Sequence, residues 1–236
     1  MTIKPYLISL ILALPFLAFS QTEKVKKYAI GLSYEANFGY RQLNFKDGNQ
    51  QVADLRNQEE MADLGLATGI NFRYQLNKKI AIETAVLFAS IGFKTSQKDL
   101  IWASNGDNLP NKSQSAFAYR GMIFPLKMNY NFKIGKLDVY ATAGMSLNYL
   151  LVRRTTNTRY FTNGSSANDF SDIRIGFDQF TWSITVGFGV NYALTKRFMV
   201  NLEPNYRQGI TSVLSDTNSK EYLYTLGLNA RVFYTF

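Results

Sequence analysis

The sequence predicts an all-β fold: eight antiparallel strands joined up-and-down and closed into a transmembrane β-barrel, with a cleaved signal peptide ahead of it. Three observations predict it. Apolar residues alternate with small or polar ones in eight separate segments, the period of a strand with one dry and one wet face. The connections between segments are alternately short and long. Beyond residue 19 no apolar run reaches the length of a membrane-spanning helix, although 15% of the residues are aromatic.

The chain opens with a positive residue, Lys4, then an apolar stretch at 5–19, and small residues at Ala18 and Ser20 before Gln21. This is the layout of a secretory signal peptide, with cleavage expected after Ser20. A membrane anchor would need about 20 apolar residues without the central Pro15. Residues 1–20 are therefore read as signal peptide and 21–236 as the barrel domain. With no cysteine in an exported chain, neither disulfides nor a lipid-modified cysteine can hold or tether the protein.

Each predicted strand rests on its alternation. In the first, Tyr28, Ile30, Leu32, Tyr34, Phe38 and Tyr40 oppose Ala29, Gly31, Ser33, Glu35, Asn37 and Arg41. The second sets Leu64, Leu66, Ile70, Phe72 and Tyr74 against Gly65, Ala67, Asn71 and Arg73. The third sets Ile80, Ile82, Val86 and Phe88 against Ala81, Glu83 and Ala85, and its far end, Leu87 to Phe93, is less regular. The fourth sets Phe124, Leu126, Met128, Tyr130 and Phe132 against Lys127, Asn129 and Asn131. The fifth covers 137–151, with Tyr140, Thr142, Gly144, Ser146 and Asn148 on its polar face. The sixth is the most regular, with Phe180, Trp182, Ile184, Val186, Phe188, Val190 and Tyr192 on one face. The seventh sets Phe198, Val200, Leu202 and Tyr206 against Asn201, Glu203, Asn205 and Arg207. The eighth sets Tyr222 to Phe236 at even positions against Thr225, Gly227, Asn229 and Arg231. Pro125 and Pro204 fall inside strands of a barrel that has no edge to accommodate them, so a bulge or local break is expected at each.

The short connections are 77–79, 133–136 and 195–197; the long ones, 42–63, 94–115, 152–179 and 208–221, are rich in Asn, Ser, Asp, Gly and Thr. Short periplasmic turns, long external loops and an even strand count are the plan of outer-membrane barrels in a Gram-negative envelope. A soluble eight-stranded barrel would turn its greasy face inward. Here the strand charges lie on the small-residue face, which suits a crowded interior, while Tyr, Phe and Trp suit lipid and its interfaces.

The stretches 82–95, 124–132, 140–151 and 187–210 resemble, in order and spacing, the porin-like outer-membrane β-barrel family that includes PorT-type proteins, relatives in architecture of the small OmpA and OmpX barrels. The resemblance implies fold and an outer-membrane location rather than a reaction. The PorT name carries with it an accessory role in an outer-membrane secretion apparatus.

The chain has no histidine, which removes the usual base or orienter of Ser, Cys and water nucleophiles. No G-x-S-x-G elbow, P-loop or H-E-x-x-H occurs. Zinc, haem and iron–sulfur centres lose their preferred ligands. No catalytic residue, metal site or cofactor is therefore expected. Asp47-Gly48-Asn49 and Asn105-Gly106-Asp107-Asn108 are read as turns, since neither has calcium-loop spacing. Arg153, Arg154 and Arg159 in the third long loop form a candidate anion-binding cluster, against the plainer reading of a solvated charge run.

The formal charge is +9, of which Lys4 supplies one unit. No basic helix, finger or RNA-binding signature carries it, so nucleic acid is not an expected partner. The excess gathers at the predicted periplasmic rim, at Lys24, Lys26, Lys27, Lys78, Lys79, Lys133, Lys136, Lys196 and Arg197. That placement fits anchoring to phospholipid headgroups of the outer membrane. The final Phe236, with Val232 and Tyr234 before it, is the kind of ending that outer-membrane insertion machinery recognises.

Strand parity puts Glu35, Arg73, Glu83, Lys127, Glu203 and Arg231 on the inner face near the periplasmic end, as one structural belt plugging the lumen. A three-residue turn at 77–79 places Arg73 across from Glu83, predicting an ion pair, with Arg231 reaching Glu203 or Glu35. The functional expectation is a non-enzymatic barrel that binds a protein or glycan partner through its long loops or stabilises the envelope. A narrow pore for small solutes is the alternative, and an enzyme comes last.

Overall fold

The computed structural model describes residues 27–45, 50–102, 109–135, 137–215 and 218–236. The expected signal peptide lies outside them. The elements in chain order are β1 (Tyr28–Phe45), α1 (Gln50–Glu59), β2 (Glu60–Gln75), β3 (Ile80–Thr95), β4 (Lys98–Asp99), β5 (Pro110–Ile134), β6 (Leu137–Phe161), β7 (Ser166–Ile173), β8 (Phe180–Ala193), β9 (Phe198–Gly209) and β10 (Ser219–Thr235). Eight strands form a closed antiparallel ring in the order β1, β2, β3, β5, β6, β8, β9, β10 and back to β1. The remaining two stand outside the ring, β4 against β5 and β7 against β6.

The barrel is apolar outside and polar inside. Leu32 and Phe188 are 68% and 67% exposed, whereas Glu35, Glu83 and Arg231 are each 1% exposed. Such a band of exposed Tyr, Phe, Leu, Ile and Val is far larger than a soluble monomer carries, and lipid is the solvent that suits it. Aromatic contacts mark both its edges. Tyr28–Tyr74, Phe198–Tyr234 and Tyr234–Phe236 lie at one end, and Tyr40–Tyr224 and Tyr149–Phe180 at the other. From Tyr28 to Tyr40 along a strand tilted about 40° is roughly 30 Å, the thickness of a hydrocarbon layer.

The short turns set the register. The Asn77 carboxamide oxygen accepts from the Lys79 and Ile80 amides, and the Thr195 hydroxyl oxygen accepts from those of Arg197 and Phe198. Gly135, at φ +60°, supplies the left-handed residue of the third turn. From the first turn follow the pairs Tyr74 with Ile82 and Arg73 with Glu83.

The long connections differ from the sequence reading. All of 110–115 belongs to β5, 152–161 continues β6, and 166–173 forms β7, so the third expected loop is largely sheet and the second is so in part. The 42–63 connection contains α1, whose Asn57 side chain bonds both the amide and the carbonyl of Leu43. These segments are too polar for a core-facing strand, and cross-strand partners rather than local alternation hold them. At Pro125 and Pro204 the ladder loses pairs on one side, yet the register is unshifted across each, so no bulge forms. The Thr84 hydroxyl donates to the Pro125 carbonyl at 2.8 Å, bridging the gap.

The bulges lie elsewhere. Leu151 is an extra residue on β6 opposite the Arg120–Gly121 step, and β2 carries one between Ala62 and Leu66. Each flips the facing of the strand beyond it, because side chains alternate with period two. The regular alternation of β6 therefore ends at Leu151.

Candidate functional site

The inner face carries stacked layers of side chains. Nearest the short turns, the Arg73 guanidinium donates to Asn131 and Asn191 at 2.9 and 3.3 Å. Above it is an alternating square of charges. Lys127 lies 3.3 Å from Glu83 and 3.0 Å from Glu203, and Arg231 closes the other two sides by pairing with both carboxylates. Asn129 donates to Glu83 at 3.0 Å and the Tyr140 hydroxyl to Glu203 at 2.9 Å. The Tyr140 ring lies where a side chain on Gly189 would otherwise stand, so the glycine makes room for it. Two carboxylates against two cations leave the square neutral, which lets buried charges persist.

The expected Arg73–Glu83 ion pair is not formed, although the two are register partners. Glu83 lies between Arg73 and Lys127 on its two neighbouring strands and is met across the lumen by Arg231, which together saturate its oxygens. Arg73 turns instead toward the amides below. Arg231 reaches Glu203, while Glu35 is held by Arg207 at 3.5 Å and by Asn205 and Asn229 at 3.3 Å. All six candidate belt residues thus lie on the inner face, in three layers rather than one.

A further network near the far end was absent from the sequence reading. Arg41 pairs with Glu60 and, at 2.7 Å, with Glu221, which also accepts from the Tyr119 hydroxyl at 2.9 Å. The Arg41 guanidinium lies 4.2 Å over the Phe93 ring. Glu60 enters the lumen because of the β2 bulge, and both glutamates fall in stretches read as loops. Arg207 was visible on the polar face of its strand, but nothing in the sequence paired it with Glu35.

An apolar cluster also fills part of the interior, beside a buried polar group in which Asn148 bonds Thr181 and Ser183. Leu87, Ile91, Phe93, Tyr119, Ile123, Leu150 and Leu223 pack together, joined from the loops by Phe177 and Val213. The irregular 87–93 stretch is thereby explained, since its inner face meets other apolar side chains instead of polar ones. A Phe177–Leu214 bridge and the Asp178 amide donating to Val213 carry both loops over the lumen. Under them lies a cavity of about 30 Å³, and another of about 10 Å³ lies between Glu35 and Glu203, room for little more than single waters.

Arg153, Arg154 and Arg159 are not brought to one point. Arg154 forms a two-bonded pair with Asp172 at 2.7 Å, and Arg159 pairs with Asp169 at 2.5 Å. Arg153 faces the opposite side from Arg154, as adjacent strand residues must. The Arg154 hydrogen bond holds the Asp172 carboxyl below the ordinary aspartate range. The turns at 47–49 and 105–108, with Lys24, Lys26 and Lys136, lie outside the described residues. The remaining rim cations, Lys27, Lys78, Lys79, Lys133, Lys196 and Arg197, are exposed at the short-turn end. Among the described residues no group of acids, His or Cys is arranged to hold a metal.

A closed ring, lipid-facing outside and charged inside, defines an integral outer-membrane β-barrel protein. The chain belongs to the outer membrane protein beta-barrel domain family, whose model matches residues 8–236. No curated protein matches it by sequence. Solved structures similar to it include neisserial surface protein A, at 17% identity over 90% of this chain and 98% of that one, TM-score 0.42. OprG from Pseudomonas aeruginosa is similar at 15% identity, over 89% and 96%, TM-score 0.42. The protease OmpT from Escherichia coli is similar at 10% identity, over 92% and 99%, TM-score 0.45.

Proposed function

We propose that the protein is a closed, non-catalytic scaffold that presents its extracellular β-sheet extension to a protein or glycan partner. The observation that carries this reading is the contrast between a filled lumen and an overlong pair of strands. β5 and β6 have 25 residues each, roughly 80 Å of strand, where a membrane crossing uses about 9–11 residues. Beyond the barrel they continue with β4 and β7 as a four-stranded sheet, and no strand among the described residues pairs with the outer edge of β7. Such an edge suits pairing with an incoming strand, and exposed Phe170 beside it offers an apolar foothold.

The chemistry agrees with a scaffold. The buried carboxylates Glu35, Glu60, Glu83, Glu203 and Glu221 are each held by a cation, leaving none of them poised as a base. The test is surface crosslinking on intact cells, comparing wild type with a variant whose 155–172 hairpin is replaced by a short turn. A partner captured by the wild type and lost in the variant supports the reading. Equal capture by both overturns it.

A further inference from the structure

We propose that the periplasmic mouth of the lumen binds a phosphate group, either free or carried by a phospholipid headgroup. The mouth is a cavity of about 790 Å³ whose lining, among the described residues, includes Lys27, Arg73, Lys78, Lys79 and Lys133 against one carboxylate, Asp138, which lies 3.7 Å from Lys133. Converging cations in a low-dielectric recess focus potential on an incoming anion.

Arg73 makes this more than a basic surface. It is 6% exposed and lies at the floor of the cavity, and among the described residues no carboxylate forms a direct ion pair with it, because its register neighbour Glu83 is engaged by Lys127 and Arg231. Its two terminal nitrogens donate to Asn191 and Asn131, neutral acceptors that also line the cavity, while its Nε has no hydrogen-bond partner among the described residues. A guanidinium has five N–H groups, so donors remain after the two amides have fixed its orientation. A buried cation lacking a counter-ion is costly. A phosphate oxygen lowers that cost, and the planar fork matches phosphate geometry. The lysines around the rim supply the charge for a dianion.

The experiment titrates inorganic phosphate into the full chain folded in dodecyl maltoside at low ionic strength, followed by calorimetry. Native mass spectrometry after exposure to phosphatidylglycerol runs in parallel. Two variants are compared, Arg73→Gln and, should that fold poorly, Lys78→Gln with Lys79→Gln on the exposed turn; Lys98→Gln at the other end is the control. Saturable phosphate binding, weakened at least about tenfold in the mouth variants and unchanged in the control, supports the site and a free anion. Retained phosphatidylglycerol without phosphate binding, lost in the mouth variants, supports it with the headgroup as source. Absence of both, or binding that the mouth variants leave intact, overturns it.

Discussion

Removing the Glu83 carboxylate should destabilise the barrel strongly, and the damage should be repaired through Lys127, not through Arg73. In the native lumen Glu83 faces Lys127 at 3.3 Å and Arg231 more closely, while Asn129 donates to it at 3.0 Å. In Glu83→Gln the two cations are left with Glu203 alone, an uncompensated charge inside the ring. Breaking a buried pair from one side typically costs about 3–5 kcal/mol. Glu203 still faces both cations, so the lower end, about 3 kcal/mol, is expected. Lys127→Met alone unbalances the square in the opposite sense by a similar amount, and the two changes together restore neutrality. Their coupling should be about 2–3 kcal/mol, against about 1 kcal/mol or less for Glu83→Gln with Arg73→Met. The assay is reversible urea unfolding in detergent micelles followed by tryptophan fluorescence. Additive losses for Glu83 with Lys127, or a larger coupling to Arg73, would refute the reasoning.

Gly189→Val should drive the Tyr140 ring off Gly189 and away from Glu203, costing about 1–3 kcal/mol, with Tyr140→Ala relieving part of the loss in the same unfolding assay. Deletion of Phe236 should leave the protein in the periplasm, checked by fractionation and heat-modifiable gel migration; insertion at normal yield would count against a terminal recognition role. The Asp172 carboxyl is depressed by Arg154, so the contribution of this pair is complete above the ordinary aspartate pKa and is lost only as pH falls through the lower folded value. A carbon-13 NMR titration of Asp172 should show that lowered value in the wild type and a return to the ordinary one in Arg154→Gln.

Much of this molecule is legible in its sequence because a barrel wall obeys one local rule. From Tyr28 to Arg41 or Phe180 to Tyr192, lipid and lumen alternate residue by residue, so the facing of each side chain can be read directly. The Asn77 turn similarly fixes Arg73 opposite Glu83. Choice of partner is another matter, since it depends on what crosses the lumen. The β3–β5 register sets Lys127 beside Glu83, but the long 94–115 connection leaves that register unreadable in the sequence, and Arg231 reaches Glu83 across the lumen, where no register applies. The bulges at Leu151 and between Ala62 and Leu66 hide further, for one extra residue turns Arg153 and Glu60 inward, and Gly65 within the second bulge falls in step with the small residues of the inner face and so does not stand out as a marker. Phe177 and Val213 are apolar residues in polar loops, and only their burial among Tyr119, Ile91 and Leu223 shows them to be part of the plug.

A lumen filled by the charge square below and the apolar plug above should not conduct ions. Planar-bilayer recording of the purified, heat-modifiable protein tests it most directly. The bilayer should stay silent at moderate voltage, with openings appearing when the plug is removed by Phe177→Ala together with Val213→Gly and the square is opened by Arg231→Ala. Reproducible open-channel steps from the wild-type barrel would contradict it and make a solute pore the leading description of this protein.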